Sequence, residues 1–102
     1  MSSNRIISSK LLGMAKVGGK EVQLKVATHT ALWQRTDAAT KVSSEGFKAA
    51  VEGGKTLVPE RTAEVIMREG LHPSPEDQRD HYTGVCRDAN GQYITTLHFY
   101  KE

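Results

Sequence analysis

Apolar and polar residues alternate most cleanly at Val22, Leu24 and Val26, which are separated by Gln23 and Lys25. Successive side chains of a strand point to opposite faces, so this stretch predicts a strand with one face buried and one wet. Ahead of it Lys10 to Val17 forms a less tidy arm interrupted by Gly13, and Gly18-Gly19 supplies the turn between the two. A second hairpin is predicted at the other end of the chain. There Tyr82 to Arg87 and Tyr93 to Tyr100 flank Asp88-Ala89-Asn90-Gly91, whose Asn-Gly pair tolerates positive φ. On its second arm Tyr93, Thr95, Leu97 and Phe99 make the better core face, with Ile94, Thr96, His98 and Tyr100 on the other.

That turn admits two registers. A two-residue loop at Asn90-Gly91 sets Thr83 opposite His98 and His81 opposite Tyr100, gathering both histidines, Thr83, Arg87 and Tyr100 on one surface. A type I turn opened by Asp88, with Gly91 in the left-handed bulge position, slips the first arm by one residue. Tyr82 then faces His98 and His81 joins the apolar side. Asp at the first turn position and Gly at the fourth favour the second register.

Between the hairpins the period lengthens. Ser43-Ser44-Glu45 provides a hydroxyl cap and an acid for a helix start, Phe47, Ala50 and Val51 follow at helical spacing, and Gly53-Gly54 ends the run. A second helix is predicted from Pro59, with Ala63, Ile66 and Met67 as its inward stripe, Glu60, Glu64, Arg61 and Arg68 as a solvated face, and Gly70 as its stop. Ser74-Pro75-Glu76-Asp77 opens a third, short helix to about Asp80. Thr28 to Lys41 is undecided between a strand extension and a short helix from Thr30. It holds Trp33, the one tryptophan, expected as a packing anchor with partner capture as the alternative. The fold class is therefore α+β: one small domain over residues 1–102, frayed at 1–4, in which two antiparallel β-hairpins form one sheet packed against two or three short helices. The predicted core comprises Val22, Leu24, Val26, Phe47, Val51, Ile66, Met67, Leu97 and Phe99.

Composition narrows the function without choosing it. A chain of 102 residues holds one modest core, and with aromatics at 6% that core is built from aliphatic side chains. A net charge of +2 permits a polyanionic partner but does not demand one. The lone Cys86 excludes an internal disulfide and points to a reducing, cytoplasmic setting; no signal-peptide core or membrane-spanning run is present, so no membrane partner is expected. Gly53-Gly54-Lys55-Thr56 lacks the earlier glycine that a phosphate-binding loop requires. The four histidines, His29, His72, His81 and His98, have neither helical ligand spacing nor a zinc pattern, so neither a metal nor another cofactor is expected.

Chemistry, if present, centres on the second hairpin. Two neighbouring imidazoles serve as acid and base when a 2′-hydroxyl attacks its own phosphate, which gives His81 and His98 catalytic roles, Arg87 the developing charge, and Tyr100 a stacking or catalytic place. In this respect Asp80 to Tyr100 resembles the closing antiparallel strands of the small RelE-like and barnase-like bacterial ribonucleases. The first three-fifths of the chain departs from the helical N-terminal region expected of the RelE group. The first expectation is instead a binding or regulatory protein of inhibitor or immunity type, from a bacterium or a mobile element, which meets another protein through Trp33, His98 and Tyr100. A metal-independent endoribonuclease is the second. The third is a nucleic-acid-binding module that holds RNA or DNA with Lys10, Lys16, Lys20 and Lys25 on the first hairpin. Self-pairing to a homodimer is expected through a sheet edge.

Overall fold

The computed structural model describes residues 9–27, 37–54, 56–73 and 80–100, and the side chains of 37–43 and 69–73 fall outside the description. Among the described residues five strands and one helix follow in chain order: β1 (Ser9–Val17), β2 (Lys20–Ala27), α1 (Asp37–Glu52), β3 (Glu64–Pro73), β4 (Asp80–Arg87) and β5 (Tyr93–Tyr100). The strands lie in one sheet in sequence order, antiparallel at every junction except β2/β3, which is parallel. A parallel pair needs a crossover, and the chain between β2 and β3 contains α1. The architecture is an α+β domain whose five-stranded sheet is mixed, not all antiparallel, with one helix among the described residues.

The largest departure from the sequence reading is β3. Pro59 to Gly70 does not form a helix: Pro59 to Thr62 make a turn, with Thr62 N donating to Pro59 O at 3.0 Å, and Glu64 starts a strand between β2 and β4. Val65 and Met67 face one way and Ile66 the other, and all three are buried. A strand buried on both faces shows no polar alternation, so its apolar run matches a helical stripe as well. The helix at Phe47 does form and ends at Glu52, with Gly53 N donating to Ala49 O and Gly54 at φ +75°. It begins at Asp37, ahead of the predicted Ser43 cap. The third helix, at Ser74 to Asp80, lies outside the described residues except for Asp80, which opens β4.

One face of the sheet packs on α1. Val22, Leu24, Val26, Val65, Met67, Tyr82, Cys86 and Phe99 join Phe47, Ala50 and Val51 in one cluster, with Leu97 partly buried against it. Phe47 meets Phe99 edge-on at 5.9 Å and Tyr82 at 5.6 Å. Two glycines make room for the aromatic rings. A Cβ on Gly84 would lie 2.7 Å from Phe99 Cε2, and one on Gly46 of α1 would run into the Tyr82 hydroxyl. On the opposite face Ala27, Ile66 and Val85 form a second, smaller buried cluster.

Both outer strands are met by groups just before and after the end of α1. Glu52 Oε2 accepts from the Lys16 amide of β1 at 2.8 Å, and the Thr56 hydroxyl donates to the His98 carbonyl of β5 at 2.6 Å. These are outward-facing backbone groups of the kind that edge strands leave open.

Candidate functional site

The β4/β5 turn combines features of the two registers the sequence allows. Gly91 N donates to Asp88 O at 2.9 Å, Asp88 N donates to Gln92 O at 3.0 Å, and Gly91 has φ +78°, so this is the Asp-opened turn with glycine in the left-handed position. The Asp88 carboxylate fixes it by accepting from the amides of Asn90 and Gln92. Arg87 accordingly faces Tyr93. One step further the register shifts, because β5 fits an extra residue, Ile94, between the partners of Arg87 and Cys86. From there Thr83 opposes His98 and His81 opposes Tyr100, the pairing of the other alternative. The favoured slip of Tyr82 to His98 is thus undone by a bulge. The same bulge turns Ile94 toward the α1 core and leaves Tyr93 45% exposed, its hydroxyl 3.1 Å from Thr96 Oγ1, which reverses the faces predicted for these two residues.

His81 and His98 come together on the face away from α1. Their rings stack with centroids 4.4 Å apart and 22° between planes, and the Tyr100 ring lies 5.7 Å from His81. His81 is 1% exposed, Thr83 is buried beside it, and His98 is exposed on the outer strand. Stacked imidazoles leave no room for a phosphate between them, whereas a paired acid and base must reach the reacting group from two sides. Arg87 does not join them. It stands six positions along β4 from His81, roughly 20 Å on an extended strand.

Arg87 is occupied elsewhere. Its Nε donates to Glu64 Oε2 at 2.6 Å, its Nη2 contacts the same oxygen at 2.5 Å, and Lys25 Nζ reaches Glu64 Oε1 at 2.8 Å. Burial alone would push the Glu64 carboxyl up. The hydrogen bonds and charges of Lys25 and Arg87 outweigh it and hold the carboxyl below its usual value. Sequence spacing placed Glu64 on a solvated helix face and so hid this ion triad, which spans β2, β3 and β4.

The four lysines of the first hairpin are dispersed. Lys25 is paired with Glu64, and Lys20 Nζ donates to the Glu60 carbonyl at 2.8 Å. Lys16 opposes Glu21, while Lys10 opposes Val26 near the far end of the same ladder. Trp33 and His29 lie outside the described residues. Cys86 is fully buried, and desolvation pushes its thiol up to about 11. The neighbouring Thr62 hydroxyl, buried and without a well-formed hydrogen bond of its own, offsets only part of that rise. A cavity of about 330 Å³ lies beneath the β1/β2 turn between Val17, Val22, Val58 and Pro59, and its one lysine is the Lys20 already bonded to Glu60. Among the described residues no three His, Cys, Asp or Glu side chains gather as metal ligands, and no helix is long and apolar enough to cross a membrane.

Compared with protein-family models, with curated proteins and with solved structures, the chain finds no match in any of the three.

Proposed function

We propose that this protein is a binding module of inhibitor or immunity type that works by covering a protein surface with the β5 side of its sheet. The observation that carries this reading is the asymmetry of the histidine pair. His98 is exposed on the outer strand, which also carries the exposed Tyr93 and the half-buried Tyr100, and it is backed by a buried imidazole instead of facing a second open one. Amphipathic rings on a rigid strand make good contact area at little entropic cost. The groups that a nuclease reading needs are committed elsewhere, Arg87 to Glu64 and His81 to the interior. Thr56 occupies the His98 carbonyl, so the partner meets the side chains of β5 and does not extend the sheet there.

Two experiments test it. Immobilised protein should retain a stoichiometric partner from a bacterial lysate at moderate salt, and the Tyr93→Ala/His98→Ala variant should lose that partner while melting like the native protein. Equal retention by both proteins would sink the proposal. So would discrete cleavage of total bacterial RNA in EDTA by the native protein but not by His98→Ala, which would establish the metal-independent ribonuclease instead.

A further inference from the structure

Among the described residues one buried side-chain oxygen forms no hydrogen bond, Oγ1 of Thr62. The residue is 1% exposed and its backbone is set on both sides: Thr62 N donates to Pro59 O at 3.0 Å, and the next amide, Ala63 N, donates to Arg87 O at 2.9 Å. Its polar neighbour in the core is the Cys86 thiol, a weak hydrogen-bonding group. An unbonded hydroxyl in such a place is costly, and valine has nearly the same shape without that cost. A threonine at this position calls for a partner from outside the fold.

Space for one lies beside it. Thr62 lines the cavity of about 330 Å³ beneath the β1/β2 turn, together with Val17, Val22, Val58 and Pro59. Val22 is a buried member of the main core, and Val17 and Val58 pack against that core, so the cavity opens from its margin. Small-molecule sites have this composition, mainly apolar walls with a few placed polar groups enclosing roughly 300–1,000 Å³. A dry cavity of about 150 Å³ already takes a benzene ring, so this one has room for a ring and a substituent. Its charged lining residues, Lys20 and Glu60, are of opposite sign, and Lys20 Nζ is already bonded to the Glu60 carbonyl at 2.8 Å. A net charge on the ligand gains little from such a pair.

We propose that this cavity binds a small uncharged molecule of the phenol class, one apolar ring bearing one hydroxyl. The ring lies against Val17, Val22, Val58 and Pro59, and the hydroxyl exchanges a hydrogen bond with Thr62 Oγ1. The site stands independently of the partner-binding reading, because it lies at β1 and β2 while that reading concerns β5, the opposite border of the sheet.

Phenol and toluene, which differ by a hydroxyl in place of a methyl, are the probes. Each is titrated into the isolated full-length protein while amide shifts are followed by NMR. The expected result is saturable binding of phenol with a dissociation constant on the order of 1 mM, with shifts centred on residues 17–22 and 58–62. Thr62→Val should melt no lower than the native protein, and its preference for phenol over toluene should fall by about threefold to tenfold. Thr62→Ser, which keeps the hydroxyl, should keep the preference. Absence of saturable phenol binding would mean that the cavity holds water alone and would overturn the proposal. Shifts centred elsewhere, an unchanged preference in Thr62→Val, or a lower melting temperature for that variant, which would show the hydroxyl to be bonded within the fold, would overturn it equally.

Discussion

Gly46 sits inside α1, where a glycine costs about 1 kcal/mol relative to alanine, so propensity alone says that Gly46→Ala stabilises the protein by that amount. The packing says the opposite. A Cβ at Gly46 would collide with the Tyr82 hydroxyl, while the ring carbon behind it, Cζ, would lie at 3.4 Å, an ordinary contact. Tyr82 is 3% exposed and wedged against Phe47, so its ring has little freedom to withdraw. Overpacking of this kind costs about 1–3 kcal/mol or more. The net effect of Gly46→Ala is therefore destabilisation by about 1–2 kcal/mol, a fall in Tm of roughly 5–15 °C for a domain of this size. Tyr82→Phe removes the colliding oxygen and spares the ring. In that background the same Gly46→Ala change should become stabilising by about 1 kcal/mol, raising Tm by roughly 4–8 °C relative to Tyr82→Phe alone. Four proteins, melted side by side and unfolded in urea, complete the cycle, whose coupling should be about 2–3 kcal/mol. Stabilisation by Gly46→Ala in the native background, or the same loss in both backgrounds, would refute the claim that the hydroxyl dictates this glycine.

Three other contacts carry outcomes of their own. Glu64→Gln leaves Lys25 and Arg87 without their counter-ion and should cost about 2 kcal/mol, less than a fully buried pair because both cations are partly exposed. Since the folded carboxyl lies below its ordinary 4.5, its contribution is present above that pH and fades as pH falls through the lower folded value. Urea midpoints should therefore drop more steeply below pH 4.5 for the native protein than for Glu64→Gln, and parallel profiles would refute the triad. Gly84→Ala places a methyl 2.7 Å from Phe99 Cε2 and 2.9 Å from Val65 Cγ1 and should destabilise by about 1–3 kcal/mol in the same assay; a neutral result would mean that those side chains yield freely. The Cys86 thiol, buried and raised to about 11, should resist a disulfide reagent near neutral pH until the protein is unfolded, and prompt labelling of the native state would contradict its burial.

The elements that announced themselves in the sequence are those whose signal is local. Val22, Leu24 and Val26 alternate because β2 is wet on one side, Gly53-Gly54 marks the end of α1, and Asp88 with Gly91 specifies a turn type. Of the predicted core, Val22, Leu24, Val26, Phe47, Val51, Ile66, Met67 and Phe99 are buried. The features that were not legible depend on distant partners. β3 reads as a helix because its pairing with β2 is parallel and both its faces are covered, leaving no polar alternation. The stacking of His81 and His98 depends on Ile94, an apolar residue among others on β5 with nothing in its identity to mark a bulge. Glu64 became visible as the hub of an ion triad only once its strand was placed between those of Lys25 and Arg87.

The contacts of Glu52 and Thr56 give a few residues around the helix end a bearing on the two far rims of the sheet. Removing both, by Glu52→Ala with Thr56→Ala, would open a donor on one border and an acceptor on the other, so that neighbouring molecules would meet through complementary borders. Light scattering of that double variant beside the native protein would read this directly, as growth of head-to-tail polymers from the variant and none from the native chain.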